Sequence, residues 1–193
     1  MGGIKFPYLN QVTKELWEWC IHRNIWVFAE YIASKENVAD FDSRISNIDT
    51  KWELSHQAFS KILEVFGIPN IDLFVTRSNC KCSKFCSWQK DPECFAVNAF
   101  TISWKNFYWY AFPPFSLIPR VLKKVREEKS RGIIVVPFWD TQPWYPLFLE
   151  LCSYNKITFK PDLNLLLSPC RSQHHPLADQ LSLIAAVVSG NHS

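Results

Sequence analysis

The sequence predicts an α/β fold, and two observations carry that prediction. Along residues 52–160, short apolar runs rich in aromatic and β-branched residues alternate with segments whose apolar residues recur at helical spacing. The chain has 193 residues, 48% of them hydrophobic and 20% charged, which suits one ordinary domain or one domain plus a fragment. Such alternation favours a sheet with parallel neighbours and a crevice at the carboxyl ends of its strands.

Residues 1–45 are the first of four predicted segments. We expect a helix, then a strand over residues 26–32, then a short polar helix over residues 36–43. The first helix is predicted by apolar residues at helical spacing, namely Val12, Leu16, Trp17 and Cys20. Fewer than about 50 residues rarely bury a core, so this segment needs a partner if it folds.

Residues 46–51 are predicted to be a polar linker, and residues 52–160 to be the main domain. The first helix of this domain should begin after Ser55, a favourable N-cap residue, and stop at Gly67. A strand is predicted over residues 71–75. The polar, cysteine-containing residues 76–94 are predicted to form a loop.

The alternation continues through the second half of this domain. Strands are predicted over residues 107–111 and 133–136, with a helix between them that stops at Gly132. A further helix, with Pro143 in its first turn, should cover residues 144–151. Residues 161–193, which three prolines punctuate, are predicted to be a linker or tail with one amphipathic helix over 177–188.

Charge and composition narrow the class of protein. The net charge of +3 permits a nucleic-acid partner, and no apolar run reaches the roughly 18 residues that span a bilayer. The first residues lack the basic and apolar regions of a signal peptide, and seven irregularly spaced cysteines argue against a disulfide framework. We therefore expect an intracellular protein, cytoplasmic or nuclear, that is not secreted and has no membrane partner.

Asp40 is the first candidate site residue. It ends the run Asn37-Val38-Ala39-Asp40, shortly after a predicted strand. A carboxylate there suits a two-metal hydrolytic site, in which several carboxylates share a pair of ions. A single Asp also serves as a helix N-cap or as a solvated group, and the residues alone leave both interpretations open.

Residues 1–44 resemble the C-terminal third of the ribonuclease H domain of DIRS-like retrotransposons, which carry a tyrosine recombinase. The matching residues are Met1–Gly3, Glu15–Trp26, Ala29–Ile32, Asn37–Asp40 and Ser43-Arg44. The resemblance implies a truncated, ribonuclease H-like βα fragment in which Asp40 takes the place of the last metal-binding carboxylate. The other carboxylates would lie upstream of Met1, so Mg²⁺ binding would need that missing half and we expect this segment to be inactive.

A rigid turn after the strand at 107–111 is the second candidate site, formed by Phe112, Pro113, Pro114 and Phe115. It resembles motif four of adenine-amino DNA methyltransferases, in which an Asn or Asp precedes Pro-Pro and an aromatic residue follows. The resemblance implies that the acid or amide accepts a hydrogen bond from the target amino group while the aromatic ring stacks on a flipped base. Phe112 stands in the acceptor position and accepts no hydrogen bond. The alternative is a strand-ending turn packed on the core.

The order of motifs over residues 52–152 resembles Dam-like methyltransferase domains, and also the segment between ribonuclease H and recombinase in DIRS-like elements. The residues concerned are Trp52–Ser55, Ile71–Asn79, Asn98–Trp104, Pro113–Ser116, Val135–Pro137 and Trp144-Tyr145. This resemblance implies a small Rossmann-like, methyltransferase-like α/β domain with S-adenosylmethionine as cofactor and Asp72 in the cofactor site. Asp72 is followed by Leu-Phe-Val, without the glycine-rich loop that such a cofactor needs.

A basic helix over residues 119–131 is the third candidate. It carries six basic and two acidic residues, and Arg120, Lys123, Lys124 and Arg126 are its candidate nucleic-acid contacts. Cations along one helix face can follow the phosphates of a nucleic acid. The alternative is a solvated helix face.

Two further clusters are candidate metal ligands. Cys80, Cys82, Cys86 and Cys94 could hold zinc, although their spacing is not that of standard zinc knuckles and reduced loop thiols are the favoured interpretation. His174 and His175 with Asp179 could form a metal pair, although solvent exposure in a polar tail is favoured.

The predicted function is that of a retrotransposon polyprotein fragment, inactive alone, from an element that reverse-transcribes and integrates its genome. Its partners would be the rest of the polyprotein, including a recombinase beyond the tail, and DNA or an RNA–DNA hybrid. The alternatives are a non-catalytic nucleic-acid-binding module that uses the helix at 119–131, a residual DNA adenine methyltransferase, and the translation of a pseudogene.

Overall fold

The structure is a computed structural model that describes residues 7–23, 25–26, 52–168 and 174–191. The chain forms two compact units, Met1–Ile45 and Ser46–Ser193. The predicted polar helix at 36–43, Asp40 and nearly all of the predicted strand at 26–32 lie outside the described residues. Within the described ranges, the helices are too short or too polar to cross a membrane.

The first unit contributes helix α1 (Pro7–Ile21), where the sequence predicts a helix. Along its predicted apolar stripe, Cys20 is buried, whereas Val12 and Leu16 are exposed. Lys14 and Glu18 form an exposed ion pair one turn apart, and such a pair contributes little to stability.

The described residues of the second unit form three helices and one large mixed sheet. The helices are α2 (His56–Phe66), α3 (Ile118–Glu128) and α4 (Tyr145–Leu151). The strands are β1 (Glu53–Leu54), β2 (Ile71–Val75), β3 (Phe85–Ser87), β4 (Ala96–Val97), β5 (Tyr108–Ala111), β6 (Arg131–Pro137), β7 (Cys152–Phe159), β8 (Leu166–Leu167) and β9 (Leu183–Ser189).

The large sheet has the strand order β4-β3-β2-β5-β6-β9-β7. Its first five strands are parallel neighbours, and β9 is antiparallel to both β6 and β7. The strands that follow β2 in the chain lie first on one side of it, as β3 and β4, and then on its other side, as β5 and β6. A topological switch point therefore lies between β2 and β5, where open α/β sheets form a crevice at the carboxyl ends of the strands. Apart from this sheet, β1 and β8 form a short antiparallel ladder.

Alternating side chains give the sheet a core on each face. Trp109, Ile134 and Val136 pack in a cluster that also contains the buried residues of α3 and α4. Tyr110, Ile133 and Val135 pack on the opposite face in a cluster that contains the buried residues of α2. Because side chains alternate along a strand, Asp72 lies on the face opposite Ile71 and Leu73, which is the face of Tyr110 and α2.

The ends of α2 agree with the sequence prediction. The Ser55 side chain accepts a hydrogen bond from the backbone N–H of Ala58 at 3.3 Å. Gly67, with φ of 83°, follows the last residue, and its N–H donates to the carbonyl of Leu63. Glycine suits this position because it adopts positive φ without a Cβ penalty.

Helix α3 ends earlier than predicted. Lys129 adopts the left-handed conformation with φ of 51°, and Gly132 lies inside β6. The reason for a glycine in this strand is packing, because a Cβ at Gly132 would overlap the indole ring of Trp109. At α4, the proline of the first turn is Pro146 and not Pro143.

Two further predictions were wrong. The segment at 177–188 was expected to be a helix in a linker, but Leu183–Ser189 is strand β9, in the interior of the sheet between β6 and β7. A buried strand and a buried helix both appear in the sequence as a continuous apolar run, so periodicity does not distinguish them. The predicted loop at 76–94 likewise contains β3, whose three residues are all buried.

Candidate functional site

The turn after β5 borders the switch point. Leu117 donates its backbone N–H to the carbonyl of Pro114 at 2.8 Å, which closes a short 3₁₀ turn over Phe115–Leu117. The Phe115 ring packs edge-on against Trp139, with centroids 5.1 Å apart, and contacts Phe112 at 6.3 Å. The turn therefore ends the strand, packs on the core and also forms one wall of the crevice.

Asp72 lies beside this turn, in the neighbouring strand β2. Its carboxyl group is completely buried, and one oxygen, Oδ2, accepts the backbone N–H of Lys81 at 3.0 Å. The other oxygen, Oδ1, has no hydrogen-bond partner. Burial raises the pKa of Asp72 to about 7, and the Lys81 hydrogen bond and charge lower it only in part.

Tyr110 occupies the position next to Asp72 in the register of β2 and β5. Its hydroxyl group is also buried without a hydrogen-bond partner, and its ring packs edge-on against Phe59 of α2. Burial, and then the charge of Asp72, raise the pKa of Tyr110 well above its usual value. The fold thus places two unsatisfied buried polar groups side by side, which costs about 1–3 kcal/mol for each group.

A buried ion pair lies next to Asp72 and Tyr110. Lys81 Nζ is 2.9 Å from Glu53 Oε2, and the two side chains are only 5% and 12% exposed. Glu53 comes from β1, so the short β1–β8 ladder brings it over the large sheet. Removing either partner would leave an uncompensated buried charge.

The loop after β2 folds onto itself. Asn79 Oδ1 accepts hydrogen bonds from the backbone N–H of Thr76 at 2.7 Å and from its hydroxyl at 2.8 Å. Arg77 is held by Asp91 at 2.7 Å and by Glu93 at 2.9 Å. Side chains and not glycines therefore fix this loop.

Two small clefts occupy the crevice. The switch-point cleft, about 230 Å³ including open solvent, is lined by Asp72, Tyr110, Lys81 and Glu53 among others. A second cleft, about 280 Å³ including open solvent, is lined by Pro113, Phe115, Leu166 and His175. Trp52 and Phe112 line both clefts and lie between them. The crevice is therefore divided by aromatic side chains of the chain itself.

Two of the four candidate cations on α3 are paired with glutamates. Lys123 pairs with Glu127 at 3.7 Å, and Lys124 pairs with Glu128 at 2.6 Å. The Arg120 guanidinium lies over the Phe100 ring at 3.9 Å. Arg126 is exposed and forms no ion pair with any described residue.

Of the four clustered cysteines, Cys86 is buried, whereas Cys80, Cys82 and Cys94 are partly exposed. Burial raises the pKa of Cys82 to about 12 and that of Cys86 to about 12. Cys82 donates to the carbonyl of Pro69 at 3.7 Å, and Cys80 donates to that of Arg77 at 3.5 Å. In the parts of the chain that the structure describes, no three or more His, Cys, Asp or Glu side chains are grouped to hold a metal ion.

The exposure predicted for the histidine pair holds for only one member. His174 is exposed, and its Nδ1 lies 3.1 Å from the carbonyl of Leu163. His175 is buried, because its ring packs edge-on against Trp52 at 4.9 Å and its Nδ1 accepts the backbone N–H of Leu177. The β1–β8 ladder and the isolated bridge between Leu167 and His174 bring this segment to the crevice.

Sequence reasoning therefore found part of the site. Asp72 and Phe112 line the same cleft, whereas the four basic candidates lie on α3. Tyr110 could have been found, because alternation in β5 puts it next to Asp72 once the two strands are paired. The contact between Lys81 and Glu53 joins residues 28 positions apart, and β1 is too short to give a periodic signal.

Comparison with protein-family models finds no match for this sequence, and comparison with curated proteins finds none either.

Proposed function

We propose that this chain is a catalytically inactive part of a retrotransposon polyprotein, in which a Rossmann-like, methyltransferase-like domain serves to bind nucleic acid. The observation that carries the proposal is the position of Phe112 in the crevice. The Pro-Pro turn borders the switch point next to Asp72, where a methyltransferase of this kind would act, but Phe112 offers no acceptor to an amino group.

The residues present do not fit S-adenosylmethionine. The switch-point cleft has room for about one water molecule, about 10 Å³, far less than the ~300–1,000 Å³ that small-molecule sites occupy. Trp52 and Phe112 separate it from the neighbouring cleft, and Asn79 closes the loop where a glycine-rich turn would approach the cofactor. Methyl transfer is therefore no part of the proposed function.

The nucleic-acid part of the proposal rests on charge and aromatic content. The chain has a net charge of +3, and 16% of its residues are aromatic. Cations supply the salt-dependent attraction to phosphates, and aromatic rings supply stacking surfaces for bases. In the first unit, Asp40 would be the last of several carboxylates of a ribonuclease H-like site, and one carboxylate does not hold two Mg²⁺ ions.

Two measurements on the 193-residue chain test the proposal. In calorimetric titration with S-adenosylmethionine, we expect no saturable heat, and with labelled donor we expect no methyl transfer to DNA. In fluorescence anisotropy, we expect labelled DNA or RNA to bind with an affinity that falls as salt rises. The matched variant is Phe112→Asn, which restores an acceptor and should still not bind the donor, because the loop and cleft are unchanged.

The opposite results would overturn the proposal. Micromolar donor binding together with methyl transfer by the native chain would show an active methyltransferase. Magnesium-dependent cleavage of an RNA–DNA hybrid that Asp40→Asn abolishes would show an active nuclease. Failure of every nucleic acid to bind at low salt would remove the binding function.

A further inference from the structure

We propose that the amino edge of the parallel sheet, meaning the side on which its parallel strands begin, is a binding surface for single-stranded nucleic acid. This surface, the amino-edge platform, consists of Lys84, Phe95, Lys105, Phe107, Tyr108 and Arg131. The inference rests on the proposed nucleic-acid-binding function and moves its interface away from α3.

The topology gathers these residues on one edge. Strands β3, β4, β5 and β6 are parallel, so they all begin on the same side of the sheet. Lys84 precedes β3, Phe95 precedes β4 and Phe107 precedes β5, while Arg131 is the first residue of β6. From β3 to β6 the edge spans three strand spacings, or about 14 Å at ~4.8 Å each, which is on the scale of a few nucleotides.

Phe95 and Phe107 provide the stacking surface. Their ring centroids lie 5.5 Å apart in an edge-to-face arrangement, and the Phe95 side chain is 50% exposed. The Lys84 ammonium group lies 5.8 Å from the Phe95 ring centroid. A half-exposed ring that is held from one side and flanked by a cation can stack on a base whose phosphate meets the cation.

Tyr108 and Arg131 form a second pair of ring and cation two strands along the edge from β3, on the opposite face of the sheet from Phe107. The Arg131 guanidinium lies 5.4 Å from the Tyr108 ring centroid, and the Tyr108 hydroxyl donates to the carbonyl of Phe66 at 2.7 Å. That hydrogen bond fixes the ring, so the cation lies against a defined surface. Lys105, in the turn before β5, adds a further exposed cation.

The platform differs from α3 in that none of its cations forms an ion pair with a described residue, whereas two of the four candidate cations of α3 do. Lys84, Lys105 and Arg131 form no ion pair with any residue that the structure describes, whereas Lys123 and Lys124 of α3 are paired with glutamates. The platform itself contains no acidic residue. Its occupant should be a polyanion with accessible aromatic faces. Single-stranded nucleic acid has such faces, whereas the bases of a duplex are stacked on one another and have no free faces.

The test uses the 193-residue chain and a fluorescein-labelled single strand of about 15 nucleotides, which is within the site sizes of single-strand binders. In anisotropy titrations, Phe95→Ala should weaken binding about tenfold or more, because stacking on one base is lost. The matched control is Phe138→Ala, because Phe138 is 48% exposed but follows the carboxyl end of β6. We expect this control to bind as the native chain does.

A second variant tests charge without removing a ring. Lys84→Gln with Arg131→Gln should reduce the slope of log K against log salt by about 1.4, or ~0.7 for each phosphate of a single strand that the variant no longer neutralises. Lys123→Gln is its control on α3 and should leave the slope unchanged. Thermal unfolding of each variant shows whether it remains folded.

The outcomes separate the inference from the function on which it rests. If the native chain binds and neither Phe95→Ala nor the double variant changes that binding, the platform proposal is wrong but the binding function stands. Equal losses in Phe95→Ala and Phe138→Ala would also overturn it, as would tighter binding of a matched duplex. An absence of salt-sensitive binding by the native chain would remove both.

Discussion

The two oxygens of the Asp72 carboxyl group differ in their hydrogen bonding. Oδ2 accepts a backbone hydrogen bond, whereas Oδ1 is buried without a partner. In the unfolded chain the pKa lies near 3.8, and burial raises it to about 7 in the folded protein. Between these two values the folded state keeps a proton that the unfolded state has lost. This group therefore lowers the free energy of unfolding as pH rises from about 4 to about 7, and its contribution does not change further above pH 7.

We predict that Asp72→Asn stabilises the protein at pH 8 by about 4 kcal/mol, because the amide avoids the cost of a buried charge and still accepts the Lys81 N–H. At pH 4.5 the difference should fall to about 1 kcal/mol, since the folded carboxyl group is then protonated, resembles the amide, and only the unfolded one is ionised. Urea unfolding at the two pH values measures both quantities. Equal destabilisation at both pH values would contradict the raised pKa.

At the scale of single residues, the sequence predicted the site only in part. Asp72 and Phe112 were singled out by the resemblance of their motifs to those of methyltransferases, and both line the switch-point cleft. Lys81 was missed because it lies in a polar, cysteine-containing segment, where nothing local marks it for burial. Its role appears only when the β1–β8 ladder brings Glu53 to within 2.9 Å.

At the scale of elements, α2, α3, β2, β5 and β6 follow from patterns that are local in sequence. The Ser55 cap, the Gly67 stop and the apolar run before Pro137 each act over a few residues. Strand β9 did not follow from such a pattern, because its apolar run suits a buried helix equally well. Only pairing with β6 and β7, whose paired residues lie 24 to 58 positions away, makes it a strand.

Helix α3 offers a matched pair of glutamates. Glu127 forms an exposed ion pair with Lys123, whereas Glu128 pairs with Lys124 and also accepts the backbone N–H of Trp104 at 2.7 Å. The Trp104 side chain is fully buried, so Glu128 joins the helix to the segment before β5.

We predict that Glu128→Ala destabilises the domain by about 1–2 kcal/mol, because the Trp104 N–H loses its acceptor and Lys124 loses its partner. Its neighbour Glu127→Ala should change stability by no more than ~0.5 kcal/mol, as exposed pairs contribute little. The midpoints of urea unfolding compare the two variants directly. Similar midpoints would show that the contact with Trp104 contributes no stability.

At the scale of the second unit, the two edges of the parallel sheet differ in character. The carboxyl edge is closed at the switch point by Trp52, Phe112 and the ladder of β1 and β8. The amino edge carries exposed cations and the half-exposed ring of Phe95. A crevice that aromatic side chains of the chain divide and an open, cationic edge together support the proposed binding function.

The sheet also fixes the extent of the domain, because β9 pairs with β6 along its whole length and separates it from β7. Ending the chain after Lys160, where the sequence placed the domain boundary, would remove β8 and β9 together. The buried side chains removed with β9 include Leu183, Ile184, Val187 and Val188. At about 1.5–3 kcal/mol each, these four contribute some 6–12 kcal/mol, which is comparable to the ~5–15 kcal/mol net stability of a typical domain.

We therefore predict that the chain ending at Lys160 does not fold, whereas a control chain ending at Asn191 unfolds cooperatively like the 193-residue chain. Loss of β9 would also expose the edge of β6, whose residues Gly132–Pro137 are all buried, so the short chain should aggregate. Circular dichroism during heating and size-exclusion chromatography distinguish the two chains. A cooperative thermal transition in the short chain would show that the sheet is complete without β9, and that residues 161–193 are a tail after all.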